Sequence, residues 1–234
     1  MKRVLVVLAL LLVPGIALAA AQINFDNPTV DGGTLTYNGA GGPVVGADII
    51  FQQVIGVDTP LNSGVPLFCW PVNCLLSFTT GNNVTEGPAI YVFNGGGSLT
   101  LIGGLNTAID GSGTQVVPAG TQLAHDGVFD APALVLGGTP GNSALFVGGG
   151  FDLKDEDLTD FYGLTQPGFT FAATVLSLDN TVFDPTTGGF TATVNDADFS
   201  NTAVPEPATL LLLGTGLVGA GAFKRRMRSQ KLPV

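Results

Sequence analysis

Short runs of alternating apolar and polar residues recur between positions 22 and 203, each bounded by Gly, Asn, Asp or Pro. A period of two sends successive side chains to opposite faces of a strand, whereas a surface helix needs apolar positions three and four apart. Ile23-Asn24-Phe25 and Thr34-Leu35-Thr36-Tyr37 read as the first strands, with turn signals at Asn27-Pro28 and Asp31-Gly32-Gly33 between them. Asn38-Gly39 closes the second, and a glycine-rich stretch leads into a longer β-rich run over residues 47–57. Residues 89–93 and 98–102, joined by Asn94-Gly95-Gly96-Gly97, predict a hairpin, because glycine supplies the positive φ that a tight reversal needs. Phe169, Phe171, Ala173 and Val175 share one face, with Thr170 and Thr174 on the other. The apolar face then switches to Leu176 and Leu178, which predicts a bulge or burial on both sides. Phe190-Thr191-Ala192-Thr193-Val194 alternates again. Gly-Gly precedes a Thr-rich strand at positions 32, 96 and 188, a spacing too irregular for a solenoid.

One segment carries the other period. Leu158, Phe161 and Tyr162 stand at i, i+3 and i+4 behind Asp155-Glu156-Asp157, whose charges complement a helix N-terminus, and Gly163 supplies the stop. The fold class expected is all-β: an antiparallel β-sandwich or jelly roll of roughly 8 to 12 strands with one short helix over residues 155–162. The pattern leaves strand order open.

Composition separates this reading from disorder. Twenty-nine of the 34 glycines lie between residues 22 and 204, and so do fourteen of the 15 phenylalanines, together with many Val, Ile and Leu. That much apolar surface drives collapse, so the glycines read as turn and strand-entry residues in a single domain.

The two ends differ from the body. Met1-Lys2-Arg3, an apolar run over residues 4–13, Pro14-Gly15 and Ala17-Leu18-Ala19-Ala20-Ala21 have the order of a secretory signal peptide, residues 1–21, cut after Ala19 or Ala21 by signal peptidase after passage through the Sec translocon. An uncleaved signal anchor is the alternative, disfavoured by those small residues. At the other end, residues 204–234 hold Pro205-Glu206-Pro207, an uncharged run over residues 208–223, and the basic cluster Lys224, Arg225, Arg226 and Arg228. The prolines stop any helix from continuing upstream. Sixteen helical residues reach about 24 Å, short of the ~30 Å hydrocarbon core of a bilayer. A permanent anchor is usually longer, and Gly214, Gly216, Gly219 and Gly221 weaken the helix further. The same glycines approximate a small-residue helix-pairing face, the minor alternative.

This tail resembles the PEP-CTERM sorting signal in its three parts and their order. The resemblance covers about the last thirty residues. It implies a transient inner-membrane transmembrane stage and recognition by an exosortase, a membrane-embedded cysteine peptidase. That enzyme removes the tail and releases the protein to the cell surface or the extracellular polymer matrix of a Gram-negative-type bacterium. Glu206, between its two prolines, is the residue expected to be read.

Removing both ends exposes the charge balance of the body, residues 22–203. Seventeen of the 18 acids lie there, but of the eight cations only Lys154 does. Such a polyanion has no basic footprint for nucleic acid, so no nucleic-acid partner is expected. Few salt bridges are available, and burial and backbone hydrogen bonding must hold the fold.

Candidate chemistry is sparse. Cys69 and Cys74, the only cysteines, are expected to form a local disulfide in an exported chain; their spacing is not Cys-x-x-Cys, and one histidine is too few for zinc. Asp152, Asp155, Glu156, Asp157 and Asp160 suggest calcium, which takes several carboxylate oxygens, but no Asp-x-Asp-x-Asp-Gly loop is present, and a solvated acidic first turn explains the run more simply. Asp196 and Asp198 are a second, weaker candidate. No Gly-x-Ser-x-Gly, His-Glu-x-x-His or Gly-x-x-x-x-Gly-Lys motif occurs, and His125-Asp126 reads as structural rather than as part of a triad. No catalytic residue is assigned and no cofactor beyond that calcium. Trp70 either stacks on a sugar or packs over the disulfide. The expected function is that of a non-enzymatic surface, matrix or biofilm protein, with exopolysaccharide as a partner. A secreted carbohydrate-binding or carbohydrate-cleaving protein is the alternative.

Overall fold

A computed structural model describes residues 20–27, 32–87, 90–137, 143–165 and 168–204. The expected signal peptide, the Pro205-Glu206-Pro207 triplet, the apolar run and the basic cluster lie outside the described residues, apart from Ala20 and Ala21. Among the described residues thirteen strands and one helix follow in order: β1 (Gln22–Asp26), β2 (Thr34–Tyr37), β3 (Pro43–Phe51), β4 (Gln53–Val57), β5 (Pro66–Cys69), β6 (Cys74–Gly87), β7 (Ile90–Phe93), β8 (Gly96–Asn106), β9 (Gln115–Phe129), β10 (Ala133–Leu136), β11 (Ala144–Lys154), α1 (Glu156–Phe161), β12 (Gly168–Phe183) and β13 (Phe190–Ala203).

All pairings are antiparallel, and their register shows a simpler object than thirteen strands suggest. β1 and β2 lie end to end, both pairing along β13 on one side and along β4 and β3 on the other. In the same way β3 continues into β4, β5 into β6, β7 into β8 and β9 into β10. Five such pairs, with β11, β12 and β13, make eight long staves. Each stave pairs with its neighbour in sequence, and the β1–β13 pairing joins the last to the first. The circuit is therefore a closed meander, and closure leaves no free sheet edge between first and last strand. The all-β antiparallel class with one short helix is as expected. Its two faces are joined around both sides of the core.

The expected hairpin between residues 89–93 and 98–102 is not formed. β7 and β8 do not pair with each other; both pair with the long β6, Ile90 to Phe93 against its far half and Ser98 to Ile102 against its near half. Gly96 and Gly97 do take positive φ, +107° and +76°, but they bend one stave instead of reversing it. A Cβ on Gly97 would meet the Thr79 carbonyl of β6, so the glycine is needed for close passage along a neighbour. The bulge expected after Val175 lies slightly upstream: β12 gains one residue against β13 between Phe171 and Ala173. A one-residue insertion exchanges the faces of a strand. Hence Phe169 and Phe171 point inward before it, and Leu176 and Leu178 after it.

Inward positions fill the interior with aromatic rings. Phe25, Phe51 and Phe199 meet one another, and through Phe171 they reach Phe129, Phe78 and Phe146, with centroids 5.0–6.4 Å apart. Tyr37, Tyr91, Phe93, Phe183 and Phe190 form a second group. Edge and tilted contacts of this kind add to the apolar burial that holds the staves together. The helix forms where expected, one residue shorter at each end. Asp155 caps it by accepting from the Leu158 amide at 3.3 Å, and Gly163 takes φ +71° beyond it. Its buried Tyr162 hydroxyl reaches the Val54 and Val65 carbonyls, both at 3.0 Å, which fixes α1 against β4 and the start of β5; burial pushes this phenol well up.

Candidate functional site

Strand alternation places Asp152 and Lys154 on the same face of β11, and that face points inward. Both side chains are fully buried and form an ion pair. The Lys154 ammonium also donates to Asn201 Oδ1 at 2.8 Å, across β12 on β13. Around it stand the rings of Phe199, Phe25 and Phe169, with centroids at 4.7, 5.3 and 5.6 Å, close enough for cation–π attraction. The Asn201 amide nitrogen donates to the Phe199 carbonyl at 2.8 Å and the Ile23 carbonyl at 3.1 Å, so the carboxamide oxygen faces the lysine. Asp152 Oδ1 has no hydrogen-bond partner among the described residues. Burial raises the Asp152 carboxyl above the usual carboxylate range despite the opposing Lys154 charge, and lowers the Lys154 ammonium to about 8.

The acidic run expected as a calcium candidate is not gathered at one point. Asp152 belongs to this interior cluster, Asp155 caps α1, and Glu156, Asp157 and Asp160 face solvent. Among the described residues no group of three or more metal-ligating side chains converges. Asp196 and Asp198 point outward from β13.

Cys69 and Cys74 are bonded. They lie where β5 ends and β6 begins, so the bridge closes the bulge that carries Trp70 and the cis Trp70–Pro71 peptide. Trp70 is 39% exposed and its ring lies over Gly111, where a Cβ would come within 2.5 Å of the indole nitrogen. His125 Nδ1 lies 3.0 Å from Asp126 Oδ2 at the surface. A cleft of about 320 Å³ opens between the turn after β2 and the turn before β13, lined by Tyr37, Asn38, Phe183, Asp184 and Thr187 among others. Hydrogen bonds from the Thr186 amide and the Thr187 hydroxyl hold Asp184 below the usual carboxylate range and commit it to its own turn.

Sequence reasoning missed the interior cluster because it read Asp152 as one of five surface acids. The signal that marks it is the body's only cation, two residues from an acid on one strand face.

β13 runs unbroken to Ala203, and Val204 still donates to the Gly168 carbonyl at 3.1 Å. The barrel therefore ends where the tail begins. A model of the PEP-CTERM protein-sorting motif matches residues 203–226. The chain thus carries a PEP-CTERM domain, which marks an exported bacterial protein that is sorted through the membrane by an exosortase. No curated protein and no solved structure matches it.

Proposed function

We propose that this PEP-CTERM protein is a non-catalytic component of the cell surface or extracellular polymer matrix, delivered there after the exosortase removes its tail. The observation that carries the reading is the sorting motif abutting the last strand. Cutting beyond Val204 takes nothing from the β13 pairings, so the body keeps its fold after release. The character of the body supports the same reading. Aromatic side chains fill its interior, while Asp48, Asp58, Asp126, Asp130, Asp196 and Asp198 are exposed on its outside. A strongly anionic outer face keeps copies apart and soluble and takes up counter-ions within a hydrated polymer.

Replacing Pro205, Glu206 and Pro207 together by alanine is expected to leave export intact and to abolish release. Fractionation of cells that express the exosortase then finds the variant in the inner membrane and the parent chain outside it. Equal release of both would defeat the assignment. A second reading, carbohydrate binding, draws on the open cleft beside Phe183 and on half-exposed Trp70. Polysaccharide retention by the parent chain that Trp70→Ala or Phe183→Ala removes would favour it.

A further inference from the structure

The interior cluster is an unusual use for the only cation between residues 22 and 203. A charged pair inside an aromatic core carries a large desolvation penalty, and here one carboxylate oxygen has no partner among the described residues. Packing of this quality around an unsatisfied ion pair is explained if the two charges are not the final state.

We propose that Lys154 and Asn201 join in an intramolecular isopeptide bond, with Asp152 as the general acid–base that forms it. The amine lies against the carboxamide it attacks, and Asn201 is held by two backbone carbonyls so that it cannot turn away. Asp152 touches the attacking nitrogen, and its other oxygen, without a partner among the described residues, can carry a proton. Burial disfavours both charged forms, so passage of a proton from Lys154 to Asp152 yields a neutral amine beside a neutral acid.

The step balances without any outside reagent. The Nζ lone pair forms a bond to Cγ of Asn201 while the carboxyl proton of Asp152 stabilises the developing oxyanion. The Cγ–Nδ2 bond then breaks with its electron pair on nitrogen. Asp152 relays a proton from Nζ to that nitrogen, ammonia departs, and the carboxyl is restored. Nothing is oxidised or reduced. Fixed placement of the two reactants in a dry site supplies the rate that the same amide exchange lacks in water. In the product position 154 carries no charge and Asp152 is neutral, which suits the surrounding rings of Phe25, Phe169 and Phe199.

The bond would tie β11 to β13 across β12, between residues 47 apart in sequence. β13 is the stave that continues into the sorting tail, so any pull on that end would pass into β11 instead of peeling β13 from the barrel.

Residues 22–223 contain one trypsin site, at Lys154, and an acylated lysine is not cut. The test takes the full chain, expressed with its leader and tail in an exporting host, then reduced, denatured and digested. The expected result is a mass lower by about 17 Da, the loss of ammonia, no cleavage after position 154, and a branched peptide joining Lys154 to Asn201 in a chymotryptic map. Asn201→Ala restores cleavage. Asn201→Asp, nearly the same shape, is expected to lose water instead, about 18 Da. Asp152→Asn slows linkage at least tenfold. Unchanged mass of the parent chain with full cleavage at Lys154 would show an ion pair only and overturn the proposal, whatever the variants do.

Discussion

Phe199→Ala lowers the unfolding free energy of the body by about 3–5 kcal/mol. Phe199 is fully buried on β13, with Phe171, Phe25 and Phe51 at centroid distances of 5.3, 5.7 and 6.4 Å and the Lys154 ammonium at 4.7 Å. It is therefore the ring at which the closing seam, the aromatic chain and the polar cluster meet. Truncation removes the transfer energy of the ring and leaves a cavity that eight mutually paired staves cannot collapse into. At roughly 2–4 °C per kcal/mol for a domain of this size, melting falls by about 10 °C. Phe183→Ala is the comparison: that ring is only half-buried at the open cleft, and its loss is expected to cost less than half as much. Equal effects in reversible melts would mean that the rings do not form one connected core.

Gly150→Val is expected to prevent the body from folding, or to lower its stability by more than about 3 kcal/mol, beyond the range usual for overpacking. Gly150 pairs with Phe129 on one side and Phe171 on the other, beside register shifts in both ladders. A Cβ there would meet the Val128 carbonyl, lie 2.6 Å from the Phe171 ring and lie 2.9 Å from the Phe129 Cα. Two of those obstacles are backbone, which no rotamer change can move aside. Gly42→Ala gives the contrast. Its Cβ would find only the Gly39 carbonyl at 3.5 Å, so stability is expected to change by no more than about 1 kcal/mol. Soluble yield and denaturant midpoint of the two variants check this; a Gly150→Val chain as stable as the parent would remove the close crossing from the account.

Where local pattern is also tertiary pattern, the chain is legible. Asp155, Leu158, Tyr162 and Gly163 announce α1, and each takes the expected place. Phe190, Ala192 and Val194 alternate inward as read. The Asn94-Gly95-Gly96-Gly97 stretch misleads because glycine answers two needs, reversal and close passage, and only the neighbouring β6 decides between them. β11 does not read as a strand at all, for a related reason. Alternation alone would turn Phe151 and Leu153 inward, yet Gly148, Gly150, Asp152 and Lys154 face the core. The rings of other staves occupy the volume there, so β11 offers small or polar side chains. That compensation is a property of the closed circuit, and its one trace within β11 is Asp152 and Lys154, an acid and the body's only cation two residues apart on one face. Likewise, Asn201 reads as an ordinary strand residue until the β13 register sets it beside Lys154.

The proposed function rests on a barrel that is complete at Val204 and on a sorting motif that begins at its last strand, with the tail serving delivery before it is discarded. Under the proposed function, leader, barrel and tail divide the work: the leader starts export, the anionic body is the cargo, and the short apolar run holds the chain in the membrane only until it is cut. The most direct measurement is the C-terminal peptide of the mature protein, identified by mass spectrometry from cells with an active exosortase and from matched cells without it. The account predicts that Phe223 and the cluster from Lys224 to Arg228 are missing from the first and present in the second. Finding them still attached to released protein from exosortase-positive cells would contradict it.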